Sequence, residues 1–277
     1  MALPAWLKNL RARLRGAPRV NVLRLDGVIG SGGRFNKGLS LERLAGSIEE
    51  AFEGGKRLKA VALIVNSPGG SPAQSALIHD RIRALAEEKK VPVYAFVEDA
   101  AASGGYWLAC AGEEIHAQPS SIVGSIGVVS AGFGFVEAIA KLGVERRVYT
   151  AGENKAILDP FQPEKAEDVE RLKTIQLELH RVFIDHVKTR RGPRLNDIDG
   201  DLFTGAFWLG EEARRRGLID GLGDVRSVTR AKFGEKVKIR VVEARKGLLS
   251  RIGLGSRIAA GVADEIETRA VWGRLGL

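Results

Sequence analysis

The chain has 277 residues, 44% of them apolar and 28% charged, enough to bury a sizeable core in one large domain or two small ones. Its single cysteine, Cys110, excludes an internal disulfide framework and reads as a small buried hydrophobe, not a catalytic thiol. A net charge of +9 calls for an acidic partner; with only 6% aromatic residues and no zinc-finger, basic-zipper or RNP pattern, nucleic acid is set aside and an anionic membrane surface remains.

Residues 1–19 carry Lys8, Arg11, Arg13, Arg15 and Arg19 and no acid, while Leu3, Trp6, Leu7, Leu10 and Leu14 recur at helical spacing. This basic amphipathic segment suits a membrane interface and, equally, a solvated terminus. No run approaches the roughly 18 apolar residues of a spanning helix, and the leader lacks the apolar core of a signal peptide. The expected location is therefore the cytoplasm, with peripheral contact on the inner face of the cell membrane.

Val20 to Leu25 predicts a first strand ending at Asp26-Gly27. A glycine-rich loop follows, and then Leu41, Leu44, Ile48 and Phe52 mark one stripe of a helix. The apolar run Ala60 to Val65 predicts a strand buried on both faces. A helix over 72–89 should turn Ala73, Leu77, Ile78, Ile82 and Leu85 inward, and Val93 to Val97 is a second buried strand. Strands alternating with helices imply parallel βαβ units and an α/β fold. Further on, the pattern predicts a small-residue helix from Ser103 and a glycine-rich turn over 123–127. It also predicts a helix over 133–142, a strand over 146–150 and a long helix over 163–190. Val237, Ile239 and Val241, alternating with Lys236, Lys238 and Arg240, predict a strand with one face exposed. Residues 246–277 read as an appended amphipathic helix or tail, leaving one catalytic domain over 20–245.

Two small-residue loops sit where α/β folds place ligands, at the carboxyl ends of predicted parallel strands. The first, Asn66 to Ser71, has paired glycines that let backbone N–H groups approach an anion. The second, Asp99 to Tyr106, puts Ser103 at a strand-to-helix transition among residues too small to shield it. A helix starting there offers free N–H groups and its dipole to an oxyanion. Taken alone, each loop is also what a tight βα connection or a phosphate-binding loop presents, although no G-x-x-x-x-G-K-[ST] occurs.

A serine nucleophile needs a base. His180 and His186 are six apart on one predicted helix and point to different faces, His79 lies beside Asp80 and Arg81 on an outer helix face, and His116 has no partner pattern. No H-E-x-x-H or C-x-x-C occurs, so no metal site is expected. Lysine remains. Lys155, between Ala151 and Asp159-Pro160-Phe161, would by default be an exposed loop lysine.

Ala102-Ser103-Gly104-Gly105-Tyr106 resembles the nucleophile motif of the signal peptide peptidase A (S49) family, and Gly152-Glu153-Asn154-Lys155 with Pro160-Phe161 is similar to its lysine motif. Lys155 follows Ser103 by 52 residues, a separation that also fits that family. Three further stretches agree in order: Asn66 to Gly70, Gly124 to Val128, and Phe203-Thr204-Gly205 with Gly217 to Gly223. The resemblance covers about residues 20–233. It implies a ClpP/crotonase-like fold and a serine endopeptidase with a Ser103–Lys155 dyad, acting through an acyl-enzyme on hydrophobic peptides such as signal peptide remnants. It further implies a ring of identical subunits in which the two residues of one site can come from neighbours, and no cofactor. Lys155 could act as base only when neutral, which requires a value near 7–8 against about 10.4 for free lysine. Gly70 and Gly104 supply the candidate oxyanion N–H groups, with Gly69 letting the loop turn. The chain departs from many family members in lacking an N-terminal spanning helix, and from others in having one copy of the domain. The rival readings are a crotonase-type acyl-CoA enzyme, which needs no serine nucleophile, and an inactive membrane-surface scaffold.

Overall fold

A computed structural model describes residues 17–30, 38–152, 154–242 and 272–277. The basic leader up to residue 16 and the expected C-terminal helix, apart from its last six residues, lie outside the described residues.

The chain divides into two compact units: residues 1–126 with 186–277, and residues 127–185. The first is built on an eight-stranded sheet. Strand β1 (Arg19–Asp26), helix α1 (Leu41–Ala51), β2 (Leu58–Ser67), helix α2 (Pro72–Lys89) and β3 (Val93–Ala102) form two successive parallel βαβ units. Short helix α3 (Gly104–Ala109) follows, then β4 (Glu114–Ala117) and β5 (Ile122–Gly124), both parallel to β3. Later come β6 (Phe207–Leu209), antiparallel to β5, and β7 (Gly221–Leu222), paired with β4. The last is β8 (Lys238–Val241), parallel to β1. The main path runs β6-β5-β3-β2-β1-β8.

The apolar runs read from the sequence form the centre of this sheet. In β2 every residue from Ala60 to Val65 is buried, because helices cover one face and the opposite face packs on Val225, Val228 and Phe233. Helix α2 starts at Ser71, whose side chain accepts from the Gln74 N–H, with Pro72 at its first position. It ends at Lys90, in the left-handed region with φ 54°.

Its buried face differs from the expected one. Ala73 and Leu77 are exposed, while Ser75, Ile78, His79, Ile82, Leu85 and Ala86 face inward. His79, expected outside from its charged sequence neighbours, is 5% exposed. Flanking charges were a poor guide because successive residues on a helix point about 100° apart. Its ring meets His186 edge-on at 4.5 Å, and His186 stacks on Trp107 at 4.3 Å. His186 belongs to helix α5 (Ala166–Arg191), whose last turns from His186 are part of the first unit.

Burial, then the charge of His79, pushes His186 from its ordinary 6.5 down to about 3, against the pull of the Trp107 carbonyl. Burial also lowers His79, opposed by its hydrogen bond to Asp80, while Arg83 and Arg190 add to the lowering. His186 is therefore neutral in the fold at neutral pH, and the lowering of His79 acts in the same direction. As pH falls below 6.5 the unfolded chain takes up protons that the folded chain refuses, so stability declines down to about pH 3. The slope expected from His186 alone is about 1.4 kcal/mol per pH unit. Urea unfolding between pH 7 and pH 5 should show this decline and a shallower one for His186→Phe; equal slopes would contradict it.

A buried ion pair locks the end of α5. The Arg191 side chain, 1% exposed, donates to both carboxylate oxygens of Asp220 at 2.7 and 3.1 Å. Burial works to raise Asp220, but the Arg191 bonds and charge outweigh it and hold the carboxyl below its usual range. Tyr106 of α3 donates to the Leu218 carbonyl at 2.7 Å beside this pair. Cys110 is fully buried, and burial pushes its thiol up to about 12, an inert hydrophobe as expected.

The second unit contains helix α4 (Val136–Lys141) and the first five turns of α5. Helix α4 is shorter than the expected 133–142, with Phe135 and Leu142 as its caps. Residues 146–150 do not form the expected strand: they are largely exposed and no strand pairs with them among the described residues. Arg146 instead bonds Asp159, which is 6% exposed at its side chain. Asp159 also accepts from the Phe161 N–H, Phe161 stacks on Phe135 at 5.5 Å, and the Pro160 carbonyl accepts from the Phe135 N–H. The Asp159-Pro160-Phe161 sequence thus anchors the turn before it.

Candidate active site

The site begins with an irregularity in β3. Val65 faces Val97, but Ser67 faces Ala101, so Glu98 to Ala100 bulge from the ladder. Polar side chains satisfy the bulge: Asn66 accepts from the Ala100 N–H at 3.3 Å and donates to Asp99 at 3.1 Å. Ser121 donates to the Glu98 carbonyl at 2.5 Å and accepts from the Gln118 N–H. The bulge lets β3 exchange its partner β4 for β5 and carries its end over the Asn66 to Ser71 loop.

Ser103 stands at that end as the residue before α3. Its φ of 52° and ψ of −122° are costly for a residue with a Cβ, of the order of 1–3 kcal/mol. The cost is offset by fixed backbone bonds: its N–H donates to the Gly124 carbonyl at 2.8 Å, and its carbonyl accepts from Tyr106 and Trp107. Ser103 is half-buried, and among the described residues its Oγ makes no hydrogen bond.

Gly69, Gly70 and Gly104 converge on it. At Gly69, φ 106°, an added Cβ would lie 2.8 Å from the Ser103 Cβ and 2.9 Å from the Gly104 nitrogen. Gly70, φ 141°, lies against Ile29, whose N–H bonds the Gly69 carbonyl and whose carbonyl accepts from Ser71, both at 2.8 Å. In such a bridge the intervening N–H, that of Gly70, points to the opposite side. Gly104 lies close by, with its Cβ position 3.4 Å from the Gly70 nitrogen. As the first residue of α3, Gly104 has an N–H without a helical acceptor. The Gly70 and Gly104 nitrogens thus lie close together beside Ser103, and a pair of N–H donors there could hold an oxyanion formed by attack of its hydroxyl on a carbonyl. Helix α3 spans only six residues, so these N–H groups, not a long dipole, carry the effect.

Lys155 lies in the second unit, in a turn where its N–H donates to the Gly152 carbonyl, and its side chain is exposed. Glu153 of the same motif lies outside the described residues. The expected glycine-rich turn over 123–127 begins as strand: Val123 and Gly124 pair with Trp208 and Phe207. Sequence reasoning missed Asn66 and Ser121 as supports of the bulge, and Trp208 and Arg216 behind Gly124. Asn66 sits inside a motif that was recognised; the others carry no local signal.

The family model for peptidase family S49 matches residues 85–238. The chain is 54% identical over 293 residues to a protein of Brucella abortus named Na(+)/H(+) antiporter NhaA, a match covering 100% of this chain and 40% of that protein. It is 32% identical over 240 residues to the chloroplastic serine protease SPPA of Arabidopsis thaliana, covering 79% of this chain and 35% of that one. It is 33% identical over 187 residues to protease 4 of Salmonella typhi, covering 66% and 29%. The chain thus spans less than half the length of each of these relatives. Among the described residues no helix is long and apolar enough to cross a membrane.

Proposed function

The chain belongs to peptidase family S49, and from that premise we propose that it is a serine endopeptidase whose nucleophile is Ser103 and whose general base is Lys155. The observation that carries this reading is the conformation of Ser103, held at positive φ beside the N–H groups of Gly70 and Gly104. The Lys155 amine takes the Ser103 proton as Oγ bonds to the scissile carbonyl carbon. The carbonyl oxygen, now an anion, is held by the two N–H groups. Collapse expels the amine half of the substrate with the proton from Lys155, leaving an ester on Ser103. Water, deprotonated by the same amine, hydrolyses that ester.

The substrates we infer are hydrophobic peptides such as signal peptide remnants. In support, Phe133, Leu142 and Tyr149 of the second unit are 81%, 77% and 91% exposed, a cost in water that apolar partners would remove. A ring of copies fits the same surface and would give the exposed Lys155 an apolar cover, with one site drawing its residues from two neighbours. The basic leader would hold such a ring against the inner face of an anionic membrane. An acyl-CoA enzyme of the same fold would not need Ser103 to react.

A fluorophosphonate probe separates these readings. The folded chain should gain one adduct, mapped by mass spectrometry to the peptide containing Ser103. No adduct, or one at another serine, would overturn the assignment.

A further inference from the structure

Ser103 is held from behind by residues that the reaction itself does not use. Its N–H bonds the carbonyl of Gly124, the last residue of β5. Gly124 has φ 122°, and a Cβ there would come within 3.0 and 3.1 Å of Trp208 ring atoms and 3.0 Å of the Ala206 carbonyl oxygen. The next residue, Ser125, φ 55°, donates its N–H to that same carbonyl at 2.7 Å. Trp208 and its neighbours in β6 therefore form the wall against which the support of Ser103 rests.

Trp208 is in turn fixed by Arg216. The guanidinium carbon lies 4.6 Å from the indole ring centroid, and the Arg216 side chain is 6% exposed. Its nitrogens reach three carboxylates on two segments: Nε to Glu212 at 2.9 Å, Nη2 to Asp199 at 2.7 Å and Nη1 to Asp201. Glu212 lies on helix α6 (Gly210–Arg215), and the two aspartates lie on the loop leading into β6. The Arg216 carbonyl also accepts from the Asn196 N–H at 3.0 Å, where that loop begins. One planar cation thus draws the loop, α6 and the Trp208 ring together. Lysine would keep the charge but lose the fork that serves three carboxylates and the flat face that meets the ring.

We propose that Arg216 and Trp208 are positioning residues for the nucleophile. This cation–ring pair presses β6 onto Gly124 and so keeps the Ser103 backbone in its positive-φ conformation beside Gly69 and Gly104. The inference rests on the reading of Ser103 as nucleophile and extends it to residues more than 100 positions away in sequence.

The test uses the full chain with Arg216→Lys, Trp208→Leu and Trp208→Phe. The readouts are the rate of Ser103 modification by the fluorophosphonate, kcat and KM on a fluorogenic peptide, and amide hydrogen exchange. Arg216→Lys and Trp208→Leu should slow the modification and kcat by about 10- to 100-fold with KM little changed, the scale of a small misplacement of a reacting atom. Trp208→Phe, which keeps a flat ring, should recover most of the rate. The Ser103 and Ser125 amides should lose protection in the two slow variants while those of Val22 and Leu63, in the sheet centre, keep theirs. Unchanged Ser103 protection, or a loss spread evenly over the sheet, would overturn the proposal. If the wild type fails to react with the probe, the nucleophile reading falls, and the exchange pattern still decides whether this pair holds Ser103.

Discussion

Ser103→Ala should abolish turnover of a hydrophobic fluorogenic peptide, lowering kcat by about 10⁴-fold or more, and Lys155→Ala should do the same. The two losses share one cause. Without the hydroxyl no ester forms, and without an amine to take its proton the hydroxyl is a poor nucleophile at neutral pH. The double variant should therefore be no slower than either single one, because members of a catalytic unit are not additive. Lys155→Arg should be as inactive as Lys155→Ala, since a guanidinium stays protonated and cannot act as a base. The measurement is kcat and KM for all four proteins, with circular dichroism to confirm the fold. Ser103 is half-buried at the edge of its loop and Lys155 is exposed, so neither substitution removes a core contact. If Lys155→Ala keeps its kcat and loses only KM, the lysine binds substrate and another group must be the base. If Ser103→Ala remains active, the serine assignment fails with it.

Those two positions were visible in the sequence for different reasons from the fold that presents them. Strands β1, β2 and β3 were legible because a strand buried on both faces must be apolar throughout, and Ala60 to Val65 has no other reading that fits its length. Helix α2 was legible at its start because Ser71-Pro72 is a start signal. The short strands β4 to β7, two to four residues each, were not, because so few residues show no periodicity. Residues 146–150 show the opposite error: Val148, Tyr149 and Thr150 favour a strand, but a strand needs a neighbour, and Arg146 is committed to Asp159. The bulge in β3 also escaped, since nothing within Glu98 to Ala100 states that Asn66 and Ser121 will satisfy the freed backbone groups. Arg216 escaped for the same reason. Its three carboxylates are separated in sequence, and Asp199-Gly200-Asp201 read alone is merely an acidic turn. Residue types and turn chemistry reveal where chemistry sits; side chains that hold it from behind are recruited by tertiary geometry.

Gly70→Ala should lower kcat by about 10²- to 10³-fold with a far smaller change in KM, the cost of losing one oxyanion donor. Two effects act together at this position. Its φ of 141° lies where only glycine is comfortable, and a Cβ would sit 2.0 Å from the Ile29 carbonyl oxygen and 2.8 Å from the Ile29 nitrogen. Both obstacles are backbone, and Ile29 is held by its bonds to Gly69 and Ser71, so the loop must move as a whole and carry the Gly70 N–H with it. Gly104→Ala supplies the contrast. Its φ is ordinary for a helix, and the nearest atom to an added Cβ, at 2.5 Å, is the Ser75 hydroxyl, which can rotate away. Its own N–H would stay in place, so a loss of no more than about tenfold is expected there. The two variants should melt within a few degrees of each other, because the displaced Gly70 loop lies at the end of the sheet and not in its core. A large kcat loss at Gly70 with a small one at Gly104 marks the first as a donor whose position matters. Equal activity in Gly70→Ala and the wild type would remove Gly70 from the oxyanion site and leave the anion to Gly104 alone.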